Sequence, residues 1–257
     1  MNNDFDFFEK WVFENLNIDL TAYNSKQLHR RILSVMNRSG ANNLREYSKM
    51  ISNNPKERLK FLDYITINVS EFFRNKAMFD ELEKKIEDIL IPKYNKLNIW
   101  SAACSIGAEP YSISIILDRL NRKNKDYILA TDIDNSIINR AKEGVYSKNE
   151  IKNLDNKDID KYFLKKGSKY HLDNDIKRKV TFKKHDLILD RYENNFHLIV
   201  CRNVLIYFKM ETKNKIYKKF YDALVPGGLL FVGATENIIN YRELNFEKIN
   251  AFLYRKK

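Results

Sequence analysis

The sequence predicts an α/β protein in which a small all-α N-terminal domain precedes a Rossmann-like, doubly wound sheet. Helical spacing of apolar residues, with no strand pattern, extends over residues 1–70. From residue 97 onwards strand and helix patterns alternate, which is typical of a parallel sheet. The 257 residues suffice for one ordinary domain plus a small one, and 44% hydrophobic residues suffice for a buried core. We therefore expect domains at 1–70 and 71–257.

Four helices are predicted in the N-terminal domain. The first covers residues 4–16, and the second begins at a capping Ser25 and ends at Gly40, where a C′ glycine belongs. Residues 43–51 predict a short third helix, and Pro55 at the first helical position begins a fourth. The second helix has basic side chains beside and opposite its apolar stripe: Lys26, Arg30, Arg31 and Arg38.

The second domain opens with a periodic helix over residues 76–90 that Pro92 closes. Predicted strands and helices then alternate, with strands at 97–103, 127–131, 197–201 and 229–232 and helices at 110–120, 136–142 and 212–224. Between about 160 and 186 the alternation breaks into three short runs with strand periodicity, at 162–164, 170–172 and 180–182. These runs predict a small antiparallel β insert.

The net charge of +12, from 46 basic and 34 acidic residues, is compatible with nucleic acid, an anionic membrane surface or an acidic protein as partner. Charge alone does not choose among these, and solubility explains it equally well. Two cysteines without a CxxC pair and four histidines without ligand spacing predict no disulfide framework and no metal. The first twenty residues lack a signal-peptide pattern, and no apolar run is long enough to span a membrane. We expect a cytoplasmic protein.

Polar residues follow the predicted strands, where open α/β sheets bind ligands. Gly107 permits a tight turn after the first strand, and Glu109 then lies at a helix N-terminus. A carboxylate there suits a positively charged group, although a helix-capping acid is the simpler explanation of Glu109 alone. An acid that follows the second strand is placed to accept hydrogen bonds from a ribose. Asp132 and Asp134 both follow this strand, and one of them alternatively caps the next helix.

Two further segments contain candidate functional residues. Arg202 and Asn203 follow the strand at 197–201, and Tyr207 lies a few residues later, where a buried structural tyrosine would be the ordinary interpretation. Residues 66–74 join the helical region to the sheet and place polar residues around a Phe-Phe pair: Asn68, Ser70 and Arg74.

Five segments together resemble the CheR family, the chemotaxis receptor glutamate methyltransferases. The matched patterns are T-x-N-x-(T/S)-x-F-F-R at 66–74, W-S-A-A-x-x-x-G-x-E-P-Y-S at 100–112, A-(T/S)-D-I-D at 130–134, C-R-N-V-x-I-Y-F at 201–208 and L-x-P-G-G-x-L at 224–230. Each pattern alone is weakly specific, but five in order over nearly the whole chain are strongly specific.

The resemblance implies S-adenosylmethionine as cofactor and S-adenosylhomocysteine as product. It implies that Glu109 pairs with the methionine ammonium and that Asp132 binds the ribose. The remaining implied cofactor contacts are Asn68, Ser70 and Arg74 in the interdomain segment and Arg202 and Asn203 in the crevice.

The resemblance further implies that Arg74 and Tyr207 lie closest to the transferred methyl group. One position departs from the family, since Asp186-Leu187 stands where the family usually has Asn-Leu. Leu187 should keep its cofactor contact. Asp186 could accept a hydrogen bond from the adenine amino group but could not donate one.

The implied function is transfer of a methyl group to glutamate carboxylates on the helical cytoplasmic domain of chemotaxis receptors. The basic residues of the second helix are then a candidate receptor-docking patch, or else an ordinary solvated helix face. We expect a monomer that neither binds nucleic acid nor inserts into the membrane. A nucleic-acid methyltransferase and a non-catalytic, cofactor-binding receptor adaptor are the alternatives.

Overall fold

The structure is a computed structural model that describes residues 2–66, 70–122 and 126–257. The chain divides into two units. The first consists of residues 1–68 and 206–216, and the second of residues 69–205 and 217–257. Among the described residues, no helix is both long and apolar enough to cross a membrane.

The first unit is helical, as the sequence predicts. Its helices are α1 (Asn2–Leu16), α2 (Ser25–Arg38), α3 (Leu44–Asn53) and α4 (Pro55–Thr66), with a 3₁₀ turn at Leu20–Ala22. Phe8, Tyr47 and Phe61 are fully buried, and the rings of Phe8 and Phe61 meet edge to face with centroids 5.7 Å apart. Ser25 is the first residue of α2 rather than its cap; Asn24 occupies the cap position without a side-chain hydrogen bond.

A later segment of the chain also belongs to the first unit. A 3₁₀ turn covers Leu205–Tyr207, and Tyr23 and Phe208 form an isolated antiparallel bridge. Asn24 N donates to Tyr207 O at 2.8 Å, and Lys209 N donates to Ala22 O at 2.9 Å. Helical periodicity cannot reveal these backbone contacts, because they join residues far apart in the sequence.

The second unit contains a seven-stranded sheet in the order β6-β2-β1-β7-β8-β10-β9. Its strands are β1 (Asn98–Ala102), β2 (Tyr127–Asp132), β6 (Val180–Lys184), β7 (Phe196–Cys201), β8 (Leu224–Val232), β9 (Phe246–Lys248) and β10 (Leu253–Lys256). The first five in sequence pair in parallel, and β10 pairs antiparallel with β8 and β9. The predicted Rossmann-like, doubly wound sheet is confirmed. The short hairpin of β9 and β10 is not predicted, because three or four residues carry too little periodicity.

Helices of the second unit are α5 (Lys76–Lys85), α6 (Ala108–Arg119), α7 (Asn135–Glu143), α8 (Asn156–Tyr162), α9 (Asn174–Lys177) and α10 (Met210–Ala223), the last of which begins within the first unit. A π-helical turn at Ile86–Leu90 continues α5. The sheet winds outward from β1 to β2 and β6, and then resumes on the other side of β1 with β7 and β8. The switch point of the sheet therefore lies between β1 and β7.

The small antiparallel sheet exists, but its composition differs from the prediction. It consists of β3 (Val145–Ser147), β5 (Lys169–Leu172) and β4 (Phe163–Lys166), in that order. The prediction that the run at 180–182 belongs to it is wrong, because these residues form β6, which pairs in parallel with β2. Val180 and Ile176 are buried in the main core, so pairing with β2 is accompanied by burial of apolar surface.

Candidate functional site

The loop between β1 and α6, at the switch point, has a constrained backbone. Ala103, Ser105 and Gly107 all have left-handed φ angles, of 72°, 50° and 82°. A Cβ added at Gly107 would lie 3.0 Å from both Ala141 Cβ and Tyr111 Cε2, so glycine suits the packing as well as the conformation. Non-glycine residues in this conformation are strained and are concentrated at functional sites.

Glu109, in the first turn of α6, has a buried carboxylate. Ser101 Oγ donates to Glu109 Oε1 at 2.8 Å, and Arg202 Nη1 lies 3.7 Å from Glu109 Oε2. Among the described residues, this carboxylate therefore contacts β1 and the residue after β7. A capping carboxylate would instead accept hydrogen bonds from backbone N–H groups of its own helix. Burial raises the pKa of Glu109 to about 7, against the opposing effect of Arg202.

Arg202 is 7% exposed and contacts several parts of the site. Its guanidinium lies 5.0 Å from the ring centroids of both Phe79 and Phe231, and Nη2 donates to Arg74 O at 2.8 Å and to Asn75 Oδ1 at 3.2 Å. Arg202 thus connects the loop after β7 with the segment that contains Arg74.

The two aspartates after β2 divide the two roles that the sequence leaves open. Asp134 is the N-cap of α7, and its Oδ1 accepts from Ser136 N at 2.8 Å. Asp132 instead accepts from Ser105 N at 2.9 Å and from Asp134 N at 3.1 Å, one bond on each oxygen. Because a carboxylate offers about four lone-pair sites, acceptor capacity remains for a hydroxyl group. Burial raises the pKa of Asp132 to about 6.

Asp186 and Leu187 follow β6, and both are 8% exposed. Asp186 Oδ1 accepts from Ile188 N at 2.7 Å and from Leu189 N at 3.2 Å. Lys219 Nζ holds the same turn from α10, donating to Ile188 O at 2.7 Å. Asp186 and Lys219 therefore hold the turn from its two sides. Asp186 Oδ2 makes no hydrogen bond in this turn.

Arg74 belongs to a segment whose backbone is well anchored. Phe72 packs edge to face against Tyr146 and Phe163, with centroids 4.8 and 5.2 Å apart, and Phe73 N donates to Ser112 Oγ at 3.0 Å. The Arg74 side chain itself is half-buried. Ser70 is half-buried at the start of the described segment, whereas Asn68 lies outside the described residues.

Two groups of predicted site residues, which are Tyr207 and the basic residues of α2, lie in the first unit. Tyr207 is half-buried, and its carbonyl binds the start of α2. Lys26, Arg30 and Arg38 are exposed on α2. Arg31 is half-buried, donates to the Tyr64 carbonyl, and has its guanidinium 4.9 Å from the Tyr64 ring centroid.

Sequence reasoning missed Glu236 and Lys219. Glu236 is 5% exposed and follows β8, and its carboxylate accepts backbone N–H groups from the loop after β7. Glu236 comes four residues after the end of the apolar strand β8, and an acid shortly after a strand is the signal that also points to Glu109 and Asp132. Lys219 has no comparable signal, since it is one of many lysines on helices.

The donors and acceptors of the second unit fit S-adenosylmethionine. Buried carboxylates suit its ammonium and its ribose hydroxyls. Among the described residues, several buried polar atoms in the segments that follow β1, β6 and β7 have no hydrogen-bond partner: Ser105 Oγ, His185 Nε2, Asp186 Oδ2 and Arg202 Nε. Unsatisfied buried atoms are costly, so a polar ligand that bonds to them would be stabilised.

Two family models match the chain. The CheR methyltransferase all-alpha domain matches residues 3–66, and the CheR methyltransferase SAM binding domain matches residues 68–253. The chain belongs to the CheR methyltransferase family.

Full-length relatives agree with this membership of the CheR family. The chain is 39% identical over 257 residues to a chemotaxis protein methyltransferase of Listeria innocua and 38% identical to one of Listeria monocytogenes, covering all of this chain and 98% of each relative. It is 30% identical over 240 residues to the chemotaxis protein methyltransferase of Salmonella typhimurium, covering 89% of this chain and 82% of the relative. This CheR-family chain is an S-adenosylmethionine-dependent methyltransferase.

The pKa of Glu109 predicts that cofactor affinity depends on pH. If Glu109 pairs with the ammonium of the cofactor, as the family resemblance implies, binding favours the ionised carboxylate, whereas burial raises the pKa of the free group to about 7. Below that pH a proton must leave Glu109 on binding, so the dissociation constant should rise by up to about tenfold per pH unit and should level off above it. Calorimetric titration with S-adenosylhomocysteine across this range measures the effect.

Glu109→Gln is the control. It should bind more weakly, and its affinity should no longer vary around pH 7. A smaller dependence at lower pH should remain, because the pKa of Asp132 is about 6. A pH profile of Glu109→Gln that parallels the wild type would contradict this assignment.

Proposed function

We propose that this methyltransferase acts in the cytoplasm on glutamate side chains of chemotaxis receptors. The products are glutamate methyl esters and S-adenosylhomocysteine. The observation that carries the proposal is the full-length similarity to relatives that are named chemotaxis protein methyltransferases. The proposed partner is the helical cytoplasmic domain of the receptor, and the acting species is a monomer.

A glutamate acceptor fits the chemistry of the second unit. A glutamate with a pKa of about 4.3 is already ionised at neutral pH, so the reaction requires no general base. Both cysteines, Cys104 and Cys201, are buried, and burial raises the pKa of each thiol, which leaves them neutral and unsuited to act as nucleophiles. This finding does not favour the nucleic-acid alternative in which a cysteine attacks a base.

Cofactor binding is proposed to use the residues that the family resemblance implies. S-adenosylmethionine supplies a methyl group on a positively charged sulfur, which a carboxylate oxygen can displace. Glu109 binds the ammonium, Asp132 accepts from the ribose hydroxyls and Asp186 Oδ2 accepts from the adenine amino group. Leu187 packs against the adenosine. Further contacts are proposed for Asn68, Ser70, Arg74, Arg202 and Asn203.

Arg74 and Tyr207 are the proposed catalytic residues. The Arg74 guanidinium can hold a carboxylate with two parallel hydrogen bonds, which fixes the direction in which the reacting oxygen points. Tyr207 is proposed from the family resemblance alone, as a residue whose hydroxyl orients a carboxylate oxygen or lines the path of the methyl group. The Arg74 contact must remain weak enough to leave the oxygen nucleophilic, so its contribution is alignment rather than tight binding.

Transfer of radiolabelled methyl to a purified receptor cytoplasmic fragment tests the proposal. Mild base should release the label as volatile methanol, because carboxyl methyl esters hydrolyse under those conditions while methylated amines do not. Binding of S-adenosylhomocysteine is measured in parallel. Cofactor binding without base-labile counts would favour the non-catalytic adaptor, and label transferred to DNA or RNA would favour the other alternative.

Tyr207→Phe and Arg74→Ala should lower the transfer rate by about tenfold to a hundredfold, because each removes a hydrogen bond to a charged group. Binding of S-adenosylhomocysteine should fall far less than the rate. Single-turnover kinetics and calorimetry separate these two effects. Tyr221→Phe removes a hydroxyl from another half-buried tyrosine and serves as the control. Turnover close to wild type in both test variants would refute the catalytic assignment.

The basic face of α2 is the proposed receptor-docking patch, formed by Lys26, Arg30, Arg31 and Arg38. Two of its three exposed members, Lys26 and Arg30, can be reversed without disturbing the Arg31–Tyr64 contact. The double variant Lys26→Glu/Arg30→Glu should have a raised KM for an acidic receptor helix at low salt. At high salt its KM should approach the wild-type value.

Lys49→Glu/Lys56→Glu makes the same change of net charge on exposed positions of α3 and α4 and is the matched control. An equal rise of KM in both double variants would mean that overall charge matters and that the α2 patch does not.

A further inference from the structure

Glu236 organises the loop that follows β7. Its Oε1 accepts from Val204 N at 3.0 Å and from Leu205 N at 2.8 Å. Its Oε2 accepts from Asn203 N at 2.5 Å and from Gly233 N at 2.8 Å. One buried carboxylate thus receives four backbone N–H groups, three of them from consecutive residues.

This convergence of N–H groups depends on an unusual backbone conformation. Asn203 has a left-handed φ of 60°, which turns its N–H and those of the next two residues towards one point. A concave set of N–H groups of this kind binds an anion, and a carboxylate has four lone-pair sites to offer. The loop conformation and the Glu236 side chain are therefore interdependent.

The loop determines the position of two residues with proposed cofactor contacts. Arg202 precedes the bonded residues directly, and its guanidinium lies 3.7 Å from the Glu109 carboxylate, the proposed partner of the cofactor ammonium. Asn203 donates its own N–H to Glu236.

We propose that Glu236 is a positioning residue for the amino-acid end of the cofactor, and that it acts by fixing the loop that presents Arg202 and Asn203 beside Glu109. The proposal rests on the proposed cofactor contacts of these residues. It assigns no direct contact between Glu236 and the cofactor.

Glu236→Gln is the sharpest test, because the side chain keeps its size. Whichever way the new amide is turned, its NH₂ group faces two backbone N–H donors and leaves both without an acceptor. Unsatisfied donors disfavour the loop conformation, so affinity for S-adenosylhomocysteine should fall by about tenfold or more.

A second ligand distinguishes positioning from general damage. 5′-Methylthioadenosine carries the adenine and ribose of the cofactor but has no amino acid group. Its dissociation constant should change by less than about threefold in Glu236→Gln, so the ratio of the two affinities should shift. A purely structural defect would weaken both ligands alike.

Asp126→Asn is the matched control. Asp126 is also a buried carboxylate that accepts a backbone N–H, from Leu97 at 2.7 Å, but it precedes β2 and so lies at the opposite edge of the sheet from the site. This variant should lower Tm without changing the ratio of the two affinities.

Equal losses for both ligands in Glu236→Gln, or wild-type affinity for both, would overturn the inference. Should Glu236→Gln not fold, Glu236→Asp decides the question: it keeps the charge but shortens the reach, and an unchanged affinity ratio there would equally overturn the inference. Failure of the wild type to bind S-adenosylhomocysteine would instead refute the proposed cofactor contacts on which the inference rests.

Discussion

The parallel pairing of β1 with β2 on one side and with β7 on the other is the constraint on which the site depends. Residues 99–102 of β1 are almost completely buried, and pairing of Ser101 with both Ala130 and Val200 sets a common register. Because parallel strands end at the same edge, Glu109, Asp132 and Arg202 follow strands that finish together. A one-residue slip of β7 would move the Arg202 side chain to the other face of the sheet and separate it from Glu109.

Bringing several charges into a poorly solvated region is unfavourable unless each charge has a partner. The fold supplies these partners mainly from backbone. Asp132 and Glu236 accept N–H groups, and Lys219 donates to carbonyl oxygens of the turn after β6. Arg202 is enclosed by two aromatic rings as well as by a carbonyl oxygen. Glu109 has the weakest compensation, one hydroxyl and a guanidinium 3.7 Å away, which is consistent with its raised pKa.

Local sequence signals predict the elements of this fold well. Pro55 begins α4 and Gly107 precedes α6 because φ preferences act on single residues. Partners in the sheet are harder to predict, since the run at 180–182 carries the same alternation whether it pairs with the insert or with β2. The same limit applies to the site. An acid after a strand marks Glu109 and Asp132, whereas the role of Glu236 depends on a left-handed Asn203 more than thirty residues earlier, which composition and periodicity do not reveal.

The proposed reaction transfers a methyl group to an oxygen that is already ionised, so proton transfer is not the difficulty that catalysis must solve. The difficulty is to align the reacting groups, and alignment requires a rigid backbone beneath a side chain that can still adjust. The segment of Arg74 has this property. Phe72 is enclosed by aromatic rings, Phe73 N is bonded to Ser112, and the Arg74 carbonyl accepts from Arg202, while the Arg74 side chain remains only half-buried. The carbonyl bond also links this segment to the loop that Glu236 holds, so a single network of buried groups fixes both the proposed carboxylate-binding residue and the proposed cofactor loop.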